Sequence, residues 1–286
     1  MLKRIITAAI GLALFLPAVI FADKVPLPFL CAMAALALVG VYEICGCVGV
    51  RKSFFISVPT YTITAAVMAL GILYSRQYIS MEFKTFAMII FGILFFYLFF
   101  VFSCTMFSNG GTRFVQTCET AAVTVYILTG FLSMIFTRFK SGVGLYNLLL
   151  IFIGVWMTDS GAYFIGRAFG KKKLIPDVSP NKTVAGAIGG IFGCLLGYAV
   201  YGSILKFALN IEVNFIYLLA FAVIVSAVDQ IGDLIASFIK RERGIKDFGK
   251  LFPGHGGVMD RFDSSIAVAP VVFFLLYFTK LAVFKV

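Results

Sequence analysis

The chain has 286 residues, of which 61% are hydrophobic and only 13% are charged, and its formal net charge is +11. A soluble globular domain has about 25% charged residues and cannot cover so much apolar surface. The composition therefore excludes a cytosolic enzyme, a disordered chain and a basic nucleic-acid-binding protein, and no nucleic acid is expected as a partner. We interpret the positive charge first as a signal of membrane topology.

Long uncharged stretches recur along the chain. Nine runs of at least 16 residues contain no Asp, Glu, Lys or Arg: 5–22, 25–42, 53–75, 85–112, 120–137, 141–158, 183–205, 213–228 and 264–279. A helix needs roughly 20 mostly apolar residues to cross the hydrocarbon core, so charged residues must enter some helices near one end. The stretch 86–102 lacks the alternation of a β-barrel strand, and backbone groups in lipid must be satisfied internally. The sequence predicts an all-α fold, a polytopic integral membrane protein with about nine transmembrane helices in the lipid bilayer.

The distribution of Lys and Arg predicts the orientation of these spans. With the N-terminus in the cytoplasm and the loops assigned alternately, 16 of the 24 basic residues fall inside and eight fall outside. This bias favours a cytoplasmic N-terminus and an external C-terminus. The alternative for the first run is a cleaved signal peptide, with Lys3 and Arg4 before an apolar core and the small residue Ala22 near its end.

The acidic residues divide the chain into two halves. Residues 1–140 carry four of them, whereas residues 141–286 carry nine. We therefore interpret 1–140 as an N-terminal transmembrane scaffold and 141–286 as the C-terminal transmembrane region that holds the functional polar groups. Both belong to one integrated membrane domain.

Three of these acids lie deep within predicted helices. Asp159 and Asp229 are roughly 21 Å beyond the starts of their helices, and Asp233 is roughly 27 Å beyond the start of the same helix as Asp229. All three then fall in the cytoplasmic third of the membrane, where a carboxylate is costly unless it is paired, hydrated or metal-bound. The structural alternative is a salt bridge to Lys182 or Lys240.

The first basic loop covers residues 167–183. Lysines 171–173, after the helix-ending Gly170, suit a segment beside anionic lipid. The segment Ser179-Pro-Asn-Lys-Thr183 predicts a polar turn directly before a helix with glycines at helical spacing. Those glycines indicate close helix packing, which is the structural interpretation, or a phosphate site formed with Lys182 and free backbone N–H groups.

The second basic loop, residues 237–263, holds six basic residues, four acidic residues and the only His of the chain. Its segment Pro253-Gly-His-Gly-Gly257 forces an irregular backbone. Asp260 and Asp263 follow at the start of the last predicted helix, where the helix dipole also favours negative charge. Basic residues for phosphates beside carboxylates for Mg²⁺ are the combination that phosphoryl transfer requires.

These loops resemble the signature of the phosphatidate cytidylyltransferases, or CDP-diacylglycerol synthases. The resemblance covers 27 residues at fixed spacing, Ser237-x-x-Lys240-Arg241-x-x-x-x-Lys246-Asp247 and then Pro253-Gly-His-Gly-Gly-x-x-Asp260-Arg261-x-Asp263. The upstream segments Asp159-x-x-Ala-Tyr-x-x-Gly-Arg-x-Phe-Gly-Lys and Ser179-Pro-x-Lys-Thr are also similar to that family. The family usually has Glu where this chain has Ala185, and Glu43 and Asp177 are candidates to replace that Glu.

The resemblance implies transfer of the cytidylyl group of CTP to phosphatidate, giving CDP-diacylglycerol and pyrophosphate for phospholipid biosynthesis. It implies Mg²⁺ bound by Asp233 and Asp260, with Asp229 and Asp263 completing or orienting the metal site, and it leaves a second metal ion open. CTP and phosphatidate are the implied substrate partners, and a homodimer is the implied assembly. The active site would face the cytoplasm from a multi-pass protein of the inner cell membrane.

The remaining site residues also follow from the resemblance. The residues implied to stabilise the triphosphate and the leaving pyrophosphate, catalytic together with Asp233 and Asp260, are Lys240, Arg241, Lys246 and Arg261. The candidates for substrate binding are Asp159, Ser179, Lys182, Thr183, Ser237, His255, Gly256 and Gly257. For His255 a phosphate contact and a purely structural role both stay open.

Two other functions stay open. A lipid or polyprenol kinase that uses CTP would transfer only the γ-phosphate, whereas a synthase would place the cytidylyl group on the lipid. A membrane transporter could also place carboxylates within the membrane, but it predicts broken helices in both halves of the chain. The acids that need explaining lie in one half.

Overall fold

Helices make up most of the described chain. The computed structural model describes residues 11, 13–107, 112–139, 142–278 and 283–285. Its helices are α1 (Ala13–Asp23), α2 (Leu27–Val48), α3 (Phe54–Ser75), α4 (Phe83–Phe107), α5 (Phe114–Phe139), α6 (Gly144–Phe169), α7 (Val184–Ala208), α8 (Phe215–Glu242) and α9 (Met259–Phe278). Its strands are β1 (Lys173–Ile175), β2 (Ser179–Thr183), β3 (Glu212–Val213) and β4 (Phe284–Lys285).

Seven of these helices, α2 to α8, are long and apolar enough to cross a membrane. They correspond to the second to eighth uncharged runs of the sequence, so the predicted all-α, multi-pass membrane fold is confirmed. The first run falls partly on residues 1–10 and 12, which lie outside the described residues. The ninth run forms α9, which starts with a charged turn and is not one of the seven. The count of nine spans is therefore approximate.

The segment before α7 differs from the predicted polar turn. Residues Ser179–Thr183 form β2, which pairs antiparallel with β1, and the turn itself lies at 176–178. The N–H of Val184 then donates to the carbonyl of Lys172 at 3.0 Å. Strand pairing satisfies backbone groups that an isolated turn would leave to water, which is why this polar segment is extended.

The described chain divides into two units. The first unit consists of Met1–Phe136 and Arg243–Arg261, and the second consists of Thr137–Glu242 and Phe262–Val286. The predicted division into residues 1–140 and 141–286 stays a prediction. The Pro-Gly-His-Gly-Gly segment, however, belongs to the first unit rather than to the C-terminal half.

Aromatic and hydroxyl contacts hold the helices of the first unit together. The rings of Tyr74 and Phe86 stack with centroids 4.2 Å apart, and the hydroxyls of Thr60 and Tyr97 share a buried hydrogen bond of 2.9 Å. Helix α2 ends at Gly49, whose φ of +87° is a left-handed conformation that glycine adopts readily. The chain can therefore turn sharply into the loop that carries Arg51.

Glycines allow the helices of the second unit to approach closely. A Cβ on Gly161 of α6 would overlap the carbonyl oxygen of Gly189 on α7 and lie 2.9 Å from the Cα of Gly193. Nearby, the buried hydroxyl of Tyr198 donates to the carbonyl of Leu150 at 2.7 Å. The close packing predicted from the glycine spacing of α7 is confirmed.

Candidate active site

The loop before α9 has an irregular backbone in the first unit. Phe252 and Gly256 form an isolated antiparallel bridge, in which the N–H of Phe252 donates to the carbonyl of Gly256 at 2.9 Å. Gly254 and Gly256 have φ values of +79° and +88°, which side-chain-bearing residues rarely adopt. The irregular backbone predicted for Pro253–Gly257 is therefore confirmed.

Two buried carboxylates hold this loop from opposite ends of the sequence. Asp260 Oδ2 accepts hydrogen bonds from the N–H groups of Phe248 and Gly257, at 2.8 and 2.9 Å. Glu43 Oε1 and Oε2 accept from the N–H groups of Val258 and Met259, at 2.9 Å each. Glu43 is 4% exposed and Asp260 is 7% exposed. Together they satisfy donors at the start of α9 that no helical carbonyl can reach.

The other predicted residues of this loop differ in exposure. Lys246 and Arg261 are exposed, as expected of groups that meet a soluble nucleotide. His255 is half-buried, and its Nδ1 has no hydrogen-bond partner among the described residues. Gly257 packs directly against the Glu43 carboxylate, so any side chain at that position would displace it.

Helix α8 carries the predicted acidic residues of the second unit. Asp233 forms an ion pair with Lys182 of β2, with Nζ and Oδ2 2.6 Å apart and both side chains partly exposed. Lys182 Nζ also donates to the carbonyl of Gln230 at 3.3 Å. The salt bridge to Lys182, which is the structural alternative to a functional role for these acids, is thus present for Asp233. It brings the two predicted site residues Lys182 and Asp233 together.

Asp229 lies one turn before Asp233 and is completely buried. Neither of its carboxylate oxygens has a hydrogen-bond partner among the described residues. Its backbone carbonyl accepts from the hydroxyl of Ser264 at 3.2 Å, and the N–H of Ser264 donates to Asp263 Oδ1 at 2.9 Å. The second unit therefore brings the predicted residues Asp229 and Asp263 to either side of one serine.

The first basic loop has a clear structural task. Thr183 is the N-cap of α7, and its hydroxyl accepts from the N–H of Gly186 at 3.0 Å. Arg241 Nε donates to the carbonyl of Val178 in the turn between β1 and β2 at 3.4 Å. Ser179 is half-buried in β2, and Asp159 is exposed in the C-terminal half of α6. Phosphate contacts by Ser179, Lys182 and Thr183 stay predictions.

The predicted metal ligands are all carboxylates, a type of donor that suits a hard divalent cation. Carboxylate oxygens are the ligands that Mg²⁺ prefers, and the two unpartnered oxygens of Asp229 are buried groups that a cation would stabilise. Within the part of the chain that the structure describes, however, no three His, Cys, Asp or Glu side chains converge on one metal position. Metal binding by Asp229, Asp233, Asp260 and Asp263 therefore stays a prediction.

Comparison with known proteins assigns the chain to a family. The model of the cytidylyltransferase family matches residues 2–279. The chain belongs to the cytidylyltransferase family. Similar curated relatives are the phosphatidate cytidylyltransferases of Bacillus subtilis strain 168, 46% identical over 134 residues, and of Staphylococcus haemolyticus strain JCSC1435 and Staphylococcus aureus strain COL, each 39% identical over 178 residues.

The aligned segments cover only part of each protein. The Bacillus match spans 46% of this chain and 48% of that relative, and each Staphylococcus match spans 62% of this chain and 66% of the relative. The family model covers residues 2–279 and shows family membership. Because the named relatives match over shorter segments, their activity is assigned to this chain only as a proposal.

Sequence reasoning assigned Glu43 only as a candidate replacement for a missing family Glu. The structure gives it a position on the loop before α9, through contacts between residues 215 and 216 positions apart. The available signal was one carboxylate inside an otherwise apolar run of α2. Asp177, the other candidate, is exposed in the turn between β1 and β2. The positions of Glu43 and Asp177 do not test which residue takes over the role of the family Glu that this chain lacks at Ala185.

Proposed function

We propose that this protein transfers the cytidylyl group of CTP to phosphatidate and releases pyrophosphate. The observation that carries the proposal is the 27-residue signature from Ser237 to Asp263 in a chain of the cytidylyltransferase family. The names of the matched relatives support the choice of phosphatidate as the acceptor. The product, CDP-diacylglycerol, serves phospholipid biosynthesis.

The proposed reaction is a single displacement at phosphorus. An oxygen of the phosphatidate phosphate attacks the α-phosphorus of CTP, a new P–O bond forms, and the bond to the β-phosphate oxygen breaks. The electron pair of that bond leaves with pyrophosphate. Because a phosphate monoester is already largely ionised at neutral pH, the nucleophile needs no general base. The protein contributes mainly by positioning the substrates and by neutralising negative charge.

The basic residues of the signature are proposed to stabilise the triphosphate and the leaving pyrophosphate. Exposed Lys246 lies on the loop that Asp260 and Glu43 hold, and exposed Arg261 lies in the first turn of α9 directly after it. A segment fixed by buried carboxylates keeps its cations oriented without reorganisation. Lys240 and Arg241, at the end of α8, are proposed to act in the same way. Lys182 is proposed to hold a phosphate from β2.

Mg²⁺ is the proposed cofactor, with Asp233 and Asp260 as its ligands and Asp229 and Asp263 as supporting groups. When bound, the ion would neutralise phosphate charge and make the α-phosphorus more electrophilic. The four carboxylates supply the oxygen donors that this ion requires. A second metal ion stays open.

The proposed location is the inner membrane of a cell, with the loop 243–261 on the cytoplasmic side where CTP is available. The excess of Lys and Arg in this loop and in residues 167–182 supports that orientation. Paired alkaline phosphatase and green fluorescent protein fusions after Gly244 test it. An external loop would overturn the proposed function. A homodimer is also proposed, and the mass of the purified protein in detergent tests it.

The decisive experiment uses the purified full chain in detergent with α-labelled and γ-labelled CTP, with and without phosphatidate and Mg²⁺. The proposal expects the α-label in the lipid fraction, together with phosphatidate-dependent release of pyrophosphate. Transfer of the γ-label to lipid would instead identify a CTP-dependent kinase. If neither label is transferred, the membrane transporter is the remaining functional hypothesis. Full activity in Asp233→Asn and Asp260→Asn variants would overturn the metal assignment.

A further inference from the structure

A cavity in the first unit lies behind the loop that precedes α9. It has a volume of about 630 Å³ and is formed between the end of α2, Arg51 and residues 245–251. This volume falls within the range of about 300–1,000 Å³ that is usual for small-molecule sites. Apolar side chains line part of it, and the cations Arg51, Lys246 and Lys250 also line it. A molecule with an apolar or aromatic body and an anionic group would match this lining.

Arg51 is held in position at this cavity. Its Nη2 donates to the backbone carbonyl of Tyr42 at 3.2 Å, and its guanidinium lies 3.8 Å from the centre of the Tyr42 ring. Gly46 lies directly beneath the guanidinium, and any side chain at that position would overlap it. An arginine that is stacked and hydrogen-bonded loses little further freedom when it binds an anion.

The charges of the cavity are not cancelled internally. Among the described residues, neither Lys246 nor Lys250 forms a hydrogen bond or an ion pair. Two carboxylates also line the cavity, but both oxygens of Glu43 are occupied by the N–H groups of Val258 and Met259. Glu43 keeps its negative charge, so the three cations outnumber the two carboxylates by one, and only the carboxylate of Asp247 is not used to hold the loop. A favourable position of Arg51 at the negative end of α2 would explain one cation but not the two lysines.

We infer that this cavity is a phosphate subsite, with Arg51 as a binding residue for the phosphate of one substrate. The inference rests on the proposed function, because that function requires two phosphate-bearing molecules near the loop 243–261. Both CTP and phosphatidate carry a phosphate joined to an apolar or aromatic body, so either could supply the group. Arginine recognises phosphate through paired hydrogen bonds that lysine cannot reproduce.

The experiment measures binding of each substrate without turnover. CTP is titrated calorimetrically into the full-length protein in lipid nanodiscs that lack phosphatidate. Short-chain phosphatidate is titrated separately into the protein in detergent without CTP. The variants are Arg51→Gln, Arg51→Lys and Gly46→Ala, and the control is Lys52→Gln, which removes the adjacent exposed cation outside the cavity. Gly46→Ala keeps every charge and favours the helix, but it displaces the guanidinium.

Arg51→Gln is expected to weaken binding of one substrate about tenfold or more, because it removes a charge-assisted contact. Gly46→Ala should weaken binding of the same substrate, and Arg51→Lys should lose an intermediate amount of affinity. Lys52→Gln should bind both substrates as the wild type does. If only the affinity for CTP falls, the subsite binds a phosphate of the nucleotide. If only the affinity for phosphatidate falls, the subsite binds the phosphate of the lipid headgroup. Gly46→Ala keeps the proposal testable if Arg51→Gln does not fold.

Three results would overturn the subsite: wild-type affinity for both substrates in Arg51→Gln and Gly46→Ala, equal losses in Arg51→Gln and Lys52→Gln, or no binding of either substrate by the wild type. Failure of the proposed function can be distinguished from failure of the proposed subsite. A wild-type protein that binds the substrates but makes no CDP-diacylglycerol refutes the function and leaves the binding result intact.

Discussion

The carboxylate of Glu43, near the end of α2, caps the first turn of α9 by accepting from the N–H groups of Val258 and Met259 at 2.9 Å each. This contact fixes the residue that precedes Asp260, and Asp260 in turn accepts from Phe248 and Gly257. The position of the proposed metal ligand therefore depends on a side chain from residues 1–140, the part of the chain that the sequence indicates as a scaffold.

Replacing Glu43 by Gln should disturb the loop without changing its size. The amide can accept only one of the two hydrogen bonds, and its NH₂ group faces the second donor, so the unfolding free energy should fall by about 1–3 kcal/mol. We expect a lower kcat at nearly unchanged KM, measured together with the melting temperature in detergent. Glu82→Gln, an exposed carboxylate of the same unit, is the control. Equal effects of the two variants would contradict the positioning role.

A methyl group at Gly256 should push Asp260 away. Gly256 has φ +88°, and a Cβ there would lie 2.7 Å from Asp260 Oδ2. Gly244 has φ +62° with nothing within 4 Å, so Gly244→Ala carries only the backbone cost of roughly 1–2 kcal/mol that Gly256→Ala also carries. We expect Gly256→Ala to lose activity and to need more Mg²⁺ for half-maximal rate, while Gly244→Ala keeps the wild-type Mg²⁺ dependence. Identical Mg²⁺ titrations would show that Asp260 does not depend on this contact.

Alanine at Gly161 should separate α6 from α7. Its Cβ would meet the backbone of Gly189 and Gly193, which cannot move aside as a flexible side chain could. Overpacking of this kind typically costs about 1–3 kcal/mol, so the melting temperature in detergent should fall. Gly92→Ala on α4 is the matched control because nothing lies within 4 Å of its Cβ. A similar melting temperature for both variants would mean that the helices adjust without cost.

Removing Lys182 should make Asp233 more available to a cation. Lys182 Nζ lies 2.6 Å from Asp233 Oδ2, and the loss of one positive charge at that distance favours another cation at the carboxylate. If Asp233 binds Mg²⁺, the Mg²⁺ concentration for half-maximal activity should fall by roughly threefold to tenfold in Lys182→Gln, a modest change because the pair is partly exposed to solvent. A Mg²⁺ titration of activity measures this change, with Lys206→Gln on α7 as the control. A higher Mg²⁺ requirement would mean that Lys182 supports the site rather than competes with the ion.

The sequence predicted the parts of the fold that follow from local physics. The membrane spans were recognisable because desolvating charge is costly, so uncharged runs mark helices such as α4 and α7. The helix end at Gly170 and the turn around His255 were recognisable because glycine permits backbone conformations that other residues avoid, whereas proline fixes φ.

The remaining features depend on pairing and packing that the local sequence pattern does not reveal. The pairing of β1 with β2 was missed because β1 has only three residues and the five residues of β2 are polar apart from a proline, so neither strand has an alternating pattern. The contact of Glu43 with the loop before α9, and the position of Arg51 beside residues 245–251, were missed because each depends on a neighbour that is distant in the sequence. For Glu43, that neighbour lies 215 positions away in the chain.

This separation also has a consequence for biogenesis. A ribosome completes α2 long before it reaches Val258, so α2 must enter the membrane while the Glu43 carboxylate still lacks its partners. Glu43 lies only five residues from the end of α2, where a polar side chain can remain close to interfacial water during insertion. Docking of α9 then withdraws the carboxylate from that water. Helix α9 therefore completes a helix that is synthesised much earlier, and chains truncated before residue 258 would expose an unpaired acid to the quality-control proteases of the membrane.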